Sequence, residues 1–97
     1  MTQQQKPSIG RIVHFVLADG QHRAATVVNA WPDAPDGICN LTVHLDGCND
    51  FTPGLHMAAP NLIPQGAFAT GSTLSVGSAH QDESAKLPGT WHWPERE

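Results

Sequence analysis

Hydrophobic and polar residues alternate along several short stretches of the chain, and this period-two pattern predicts β-strands. The cleanest stretch is residues 38–45. One of its faces carries Cys39, Leu41, Val43 and Leu45, and the other carries Asn40, Thr42 and His44. Because successive side chains of a strand point to opposite sides of the sheet, we expect the first set in the core and the second at the surface.

The same reasoning predicts strands at residues 9–17, 22–31 and 72–80, and a short final strand in "TWHW" (90–93). Asp-Gly pairs, which favour tight hairpin turns, follow the first and third strands at residues 19–20 and 46–47. No stretch carries the i, i+3, i+4, i+7 apolar stripe of an amphipathic helix.

These strands and turns predict an all-β domain. We expect a small SH3-like barrel or a strongly bent antiparallel sheet of four to five strands. Dimerisation is an alternative way to complete the core, because both faces of 9–17 are partly apolar. Residues 1–8 are interpreted as a flexible arm and 9–97 as one domain. Within it, residues 48–73 are rich in proline and glycine and are predicted to be irregular.

Composition limits the range of partners. The 97 residues include only five lysines and arginines, and the net charge is −4 with histidine neutral. Extended DNA or RNA is therefore not an expected partner, because nucleic-acid affinity comes largely from basic side chains on phosphates. A small anionic ligand remains open, since one or two arginines can hold it.

The location of the protein is predicted from its ends and its cysteines. The opening "MTQQQKPS" lacks the apolar stretch of a signal peptide. No apolar run reaches the ~18 residues of a membrane helix. We therefore expect no membrane association and a cytoplasmic protein in which Cys39 and Cys48 are reduced.

The residues that usually carry chemistry do not form a recognisable motif. No pair among the six histidines has the short spacing of a zinc site, so no metal is predicted, although a site assembled across strands is the alternative. The aspartates lie in turn sequences, where their side chains hydrogen-bond to nearby backbone. No nucleophile and base, phosphate loop or cofactor motif is evident, so we expect a non-enzyme without a cofactor.

Binding is the remaining function class. Tryptophan rings stack on planar ligands, and arginines fix phosphates or carboxylates. Trp91 and Trp93 should share one face of the last strand, with His92 on the other, and two exposed indoles would be costly, so we expect this segment to be held in place. The candidate ligand-binding residues are Trp91, His92, Trp93, Arg11, Arg23, Asn40, His44 and Trp31.

Three stretches resemble a set of small phage and prophage proteins. They are "PSIGRIVHFVLADGQHRAATVV" (7–28), "NLTVHLDG" (40–47) and "PGTWHWPE" (88–95). The resemblance covers both ends and about half of the chain, and most of those proteins have no assigned function. It implies a phage origin and a place in the host cytoplasm.

Together, these observations lead to the hypothesis that this chain is a phage anti-defence protein. It would act as a homo-oligomeric sponge that sequesters a nucleotide-derived immune signal, of cyclic-nucleotide or ADP-ribose type, without catalysis. The alternatives are a protein-interaction module that inhibits a host defence protein, and a virion or morphogenesis accessory protein.

Overall fold

The computed structural model describes residues 6–31, 33–52 and 57–95. Eight strands follow one another in these ranges: β1 (Ile12–Val16), β2 (His22–Ala30), β3 (Cys39–His44), β4 (Phe51–Thr52), β5 (Met57–Ala58), β6 (Ala67–Thr70), β7 (Thr73–Ala79) and β8 (Trp91–His92). Two single 3₁₀ turns, Pro35–Gly37 and Pro60–Leu62, are the helical elements of the described ranges. Neither is long enough to cross a membrane as an apolar helix.

Six of these strands form one antiparallel sheet, in the order β6-β7-β3-β2-β1-β8, and β4 pairs with β5 in a separate two-stranded sheet. The all-β prediction is thus confirmed. The main sheet has one strand more than the upper end of the predicted count, because β6 folds back on β7 through a Gly71 turn. An isolated parallel bridge between Gln81 and Trp91 also brings the chain just beyond β7 to the free side of β8.

The segment 48–73 is more regular than predicted. It contains β4, β5, the second 3₁₀ turn and β6, while residues 53–56 lie outside the described residues. The sequence did not predict these elements, because each is only two to four residues long and shows no periodicity within a segment rich in proline and glycine. Residues 1–5 of the predicted arm also lie outside the described residues, as do residues 96 and 97.

The strand register of the main sheet shifts at two bulges. In the pairing of β2 with β3 the register shifts between Val27 and Asn29, and in the pairing of β3 with β7 it shifts opposite Cys39 to Leu41. The second bulge includes Ser78, whose φ of 53° is unusual for a residue with a side chain. An extra residue in one strand increases the local twist of the sheet.

One face of the main sheet carries most of the hydrophobic core. The alternation predicted for 38–45 is confirmed, since Cys39, Leu41 and Val43 are buried and Leu45 packs against them. The rest of the buried cluster comes from the neighbouring strands and the second 3₁₀ turn: Val13, Phe15, Leu17, Ala25, Val27, Leu62, Leu74, Val76, Ala79 and Trp91. The opposite face of β1, β2 and β8 is therefore left for other side chains.

Candidate metal centre

Three imidazoles and one carboxylate meet on the face of the sheet that points away from the core. They belong to His14 on β1, His22 on β2, His92 on β8 and Glu95 just beyond β8. Each offers one ligand atom, and no two of these atoms lie more than 4.8 Å apart. We refer to these four residues as the histidine cluster.

Strand alternation and register bring the histidines together. In β1, Val13 and Phe15 point into the core, so His14 points to the other side. His14 is paired with His92 across β1 and β8, and Phe15 is paired with Trp91. Residues paired in this way point to the same face of a sheet, so His92 lies beside His14 while Trp91 lies in the core.

His22 reaches the cluster from the start of β2. It is paired with Val16, which lies two residues beyond His14 on the same face of β1. The diagonal neighbours of an antiparallel pair are close enough for large side chains to touch. The ring centroids of His22 and His92 are 4.7 Å apart, and those of His14 and His92 are 5.6 Å apart.

Backbone hydrogen bonds hold the C-terminal segment over this face. Val16 N–H donates to Thr90 O on one side of β8, and Trp91 N–H donates to His80 O on the other. One residue beyond β8, Trp93 N–H donates to the Glu83 carboxylate at 2.9 Å. The chain is therefore anchored on both sides just before it turns Glu95 back towards the histidines.

One oxygen of Glu95 contacts all three rings. Its Oε1 lies 2.9 Å from His92 Nε2, 3.0 Å from His22 Nδ1 and 3.3 Å from His14 Nδ1. These hydrogen bonds, above all the one from His92, lower the pKa of the Glu95 carboxyl group from its ordinary 4.5 to about 2. The carboxylate is ionised at neutral pH, so its Oε1 acts as a hydrogen-bond acceptor towards the three rings.

The cluster combines a buried floor with an open side. The His92 side chain is fully buried, whereas those of His14, His22 and Glu95 are 25%, 31% and 42% exposed. His92 Nδ1, on the side of the ring away from Glu95, is buried without a hydrogen-bond partner among the described residues. Only Nε2 of this ring therefore has a polar partner, and it faces the cluster.

The separations of Glu95 Oε1 from the three ring nitrogens match those of a tetrahedral metal site, within a set of four ligand atoms that spans up to 4.8 Å. Zinc binds imidazole nitrogen at roughly 2.0–2.1 Å and carboxylate oxygen at roughly 2.0–2.2 Å. Two ligand atoms of a regular tetrahedron with such bonds are separated by roughly 3.3 Å, from the bond lengths. The three nitrogen–oxygen separations at Glu95, 2.9 to 3.3 Å, are close to that value. Loss of the ring protons is the chemical step that would admit the ion.

The three tryptophans that were predicted to bind a ligand differ in burial and in contacts. Trp91 is fully buried, and its Nε1–H donates to Gly37 O at 2.9 Å, so no face of this ring is available to a ligand. Trp93 packs edge-to-face on Trp91 with 5.3 Å between ring centroids, and it is partly buried against the core. The expectation that this segment is held in place is thus confirmed. Trp31 lies just beyond β2 and is 45% exposed.

Apart from His92, the polar residues that were predicted to bind a ligand lie outside the histidine cluster. The Arg23 guanidinium forms two hydrogen bonds with the buried Asp50 carboxylate, at 2.6 and 2.7 Å, and so does not present a free charge to a phosphate. Asn40 Oδ1 accepts from Ser78 N–H in the second bulge.

His44 Nε2 hydrogen-bonds with Thr26 Oγ1 on the sheet surface. The exposed Arg11 lies over the Trp93 ring, with its guanidinium carbon 4.9 Å from the centroid. Of the eight predicted residues, His92 alone belongs to the histidine cluster.

Sequence reasoning missed His14, His22 and Glu95 because it searched for short spacings. His14 and Glu95 are 81 residues apart, and their contact depends on β8 pairing with β1 rather than with β7. A usable signal was present in "VHF" and "WHW", where one histidine in each strand stands alone between large apolar residues. Such a histidine must point away from the core, but the strand order decides which histidines meet.

Comparisons with protein-family models, curated proteins and solved structures find no match for this chain. The interpretation of the cluster therefore rests on its own geometry.

Proposed function

We propose that this protein binds one divalent transition-metal ion, zinc being the best fit, through His14, His22, His92 and Glu95. The observation that carries the proposal is the convergence of three imidazole nitrogens on one carboxylate oxygen at 2.9 to 3.3 Å. Three nitrogen donors and one oxygen form a ligand set that suits zinc, which is bound by four such ligands in many protein sites.

The ion would join parts of the chain that are remote in sequence. His14 and His22 lie in the first hairpin, and His92 and Glu95 lie in the last strand and the residues after it. A ligand that binds only the folded protein stabilises it by about 2.7 kcal/mol at a hundred times its Kd. Metal binding would therefore fix the C-terminal segment against the first hairpin and raise the thermal stability of the whole domain.

Metal titration tests this proposal. Chelator-treated protein is titrated with Zn²⁺ by calorimetry and with Co²⁺ by visible absorption, which reports four-coordinate geometry. We expect one ion per chain and an increase in Tm with Zn²⁺. His14→Ala and His22→Ala should weaken binding by more than the ~10–100-fold that outer-shell changes cost. His80→Ala is the matched control, because His80 is an exposed histidine outside the cluster.

Two outcomes would refute the proposal. One is a wild-type chain that takes up no ion. The other is uptake that stays equally tight in His14→Ala and His22→Ala while circular dichroism shows that both variants are folded. His14 and His22 are chosen because both are partly exposed, so their truncation leaves the core intact.

Sequestration of a nucleotide-type ligand by a homo-oligomer of phage origin is a second proposal, and one observation favours it. Arg11 is exposed and places its positive charge against the indole of Trp93. A guanidinium beside an aromatic ring suits a phosphate joined to a base. Calorimetry with cyclic dinucleotides, cyclic ADP-ribose isomers and NAD tests it on the metal-free protein, and heat that persists in Arg11→Ala would count against this site.

An SH3-like closure of the sheet is also a proposal. The parallel bridge between Gln81 and Trp91, with hydrogen bonds from Trp91 N–H to His80 O and from Asp82 N–H to Trp91 O, supports it. These contacts place the continuation of β7 beside β8, which would complete a ring through β1, β2 and β3.

A further inference from the structure

The four members of the histidine cluster are not held equally firmly. His14, His22 and His92 lie in strands of the main sheet, so backbone hydrogen bonds on neighbouring strands fix their positions. Glu95 lies three residues beyond His92, outside any strand, and its side chain is the most exposed of the four. Because its backbone lies outside the strands, Glu95 can move away from the histidines together with its chain segment while the sheet stays intact.

We propose that Glu95 is an exchangeable ligand, and that the bound metal ion takes an anionic oxygen of a small molecule, from a phosphate or a carboxylate group, in its place. This inference rests on the metal site proposed above. Glu95 then acts as an internal competitor, which covers the fourth coordination position until an external anion displaces it.

The position of Glu95 Oε1 indicates an anionic oxygen as the incoming group. Three neutral imidazoles leave the double positive charge of the metal uncompensated, so the fourth position favours an anion. A carboxylate oxygen already occupies that position, at 3.3 Å or less from each ring nitrogen. Sites with three protein ligands keep the fourth position for exogenous groups, whereas purely structural sites are closed by four firmly held ligands.

The opening of the cluster allows such a ligand to enter. His92 forms the buried floor, and the half-buried His14 and His22 flank the side on which Glu95 is exposed. Displacement of the Glu95 side chain would therefore expose the fourth position directly to solvent. No rearrangement of β1, β2 or β8 is needed.

Anion titration of the Co²⁺-loaded protein tests the inference. Sodium phosphate and sodium acetate are added separately to the wild type, to Glu95→Ala and to Asp33→Ala, and the visible spectrum of the metal is followed, with sodium chloride matching the ionic strength. Asp33 is an exposed acidic residue outside the cluster and is the matched control. Glu95→Ala lacks one ligand and should bind Co²⁺ more weakly than the wild type. At saturating Co²⁺ we still expect it to hold one ion per chain and to bind the anion at least tenfold more tightly than the wild type and Asp33→Ala.

The two anions identify the source of the oxygen. A spectral change with phosphate alone, or with acetate alone, assigns the site to that group, and a change with both assigns it to anionic oxygen in general. Loss of Co²⁺ in Glu95→Ala as complete as in His14→Ala would overturn the inference, because Glu95 would then be indispensable. An unchanged spectrum with both anions in the Co²⁺-loaded wild type and in Co²⁺-loaded Glu95→Ala would also overturn it, while the metal site itself would stand. Absence of Co²⁺ uptake by the wild type would instead refute the metal site.

Discussion

The buried ion pair between Arg23 and Asp50 makes a quantitative prediction about stability. The Asp50 side chain is fully buried, and that of Arg23 is 17% exposed. Four donors converge on the Asp50 carboxylate: Nε and Nη2 of Arg23, the backbone N–H of Asp46 and the side-chain amide of Asn49. We expect Asp50→Asn to destabilise the fold strongly, because it removes the charge while the guanidinium stays largely buried.

The magnitude follows from the pKa of Asp50. The hydrogen bonds from Arg23 outweigh the effect of burial and lower this pKa from 3.8 to about 2. At 1.36 kcal/mol per pKa unit, the ionised form contributes about 2 kcal/mol to the free energy of unfolding at neutral pH. Loss of one partner from a buried pair typically costs about 3–5 kcal/mol, since the other charge remains unpaired. Asp50→Asn should therefore cost between about 2 and 5 kcal/mol, a large part of the 5–15 kcal/mol of a typical domain.

The dependence on pH gives a second readout. Because the pKa is lower in the folded protein than in the unfolded chain, the contribution is complete above about pH 4 and is lost as the pH falls towards 2. Urea unfolding followed by tryptophan fluorescence, at a series of pH values, measures both effects. The difference in stability between the wild type and Asp50→Asn should shrink over that interval. This comparison cancels the contribution of Glu95, which titrates in the same range in both proteins.

Asp33→Asn is the control, since it changes an exposed aspartate of the loop after β2 and should alter the free energy of unfolding by less than about 0.5 kcal/mol. The reasoning is refuted if Asp50→Asn is as stable as Asp33→Asn at neutral pH. It is also refuted if the stability difference between Asp50→Asn and the wild type is the same at pH 2 as at pH 7.

Two further substitutions test how the C-terminal segment is held, both by urea unfolding. Trp91→Phe removes the hydrogen bond to Gly37 O and leaves a cavity in the core, so we expect a loss of about 2–4 kcal/mol, whereas Trp31→Phe at a 45% exposed position should have little effect. Gly37→Ala should lower the free energy of unfolding by about 1 kcal/mol or more, because φ of Gly37 is +64° and the new Cβ would lie 2.9 Å from Gln81 Cβ. Gly47→Ala is the control, since a Cβ at Gly47 meets no atom within 4 Å. Equal stability of Trp91→Phe and Trp31→Phe would contradict the role given to Trp91. Equal stability of Gly37→Ala and Gly47→Ala would contradict the role given to Gly37.

Local pattern was sufficient for most of the main sheet. The strands predicted at 22–31, 38–45 and 72–80 correspond to β2, β3 and β7 within one residue at each end, because alternation and the flanking turn residues are properties of neighbouring positions. The first strand begins later than predicted, at Ile12, because Gly10 adopts a positive φ and Ile9 is 68% exposed. Strands of two to four residues in 48–73 carried too few positions for any period to be recognised.

The candidate site could be predicted only in part. Tryptophans on both sides of His92 showed that the closing strand has one apolar face, and hence that His92 points away from the core. That pattern does not indicate which residues surround His92. The sequence also did not indicate the ion pair of Arg23 with Asp50, because Arg23 lies in a sequence typical of a strand and Asp50 in one typical of a turn.

The sequence by itself determined an all-β chain, the approximate positions of the strands that build its centre and, for the third strand and the closing strand, the side that faces the core. These features follow from short-range alternation and from the backbone preferences of glycine, aspartate and proline. The tertiary structure alone decided that β8 lies beside β1, with Glu95 folded over both. Strand order depends on how the whole chain buries its apolar faces together, and a site drawn from positions 14, 22, 92 and 95 exists only once that order is set.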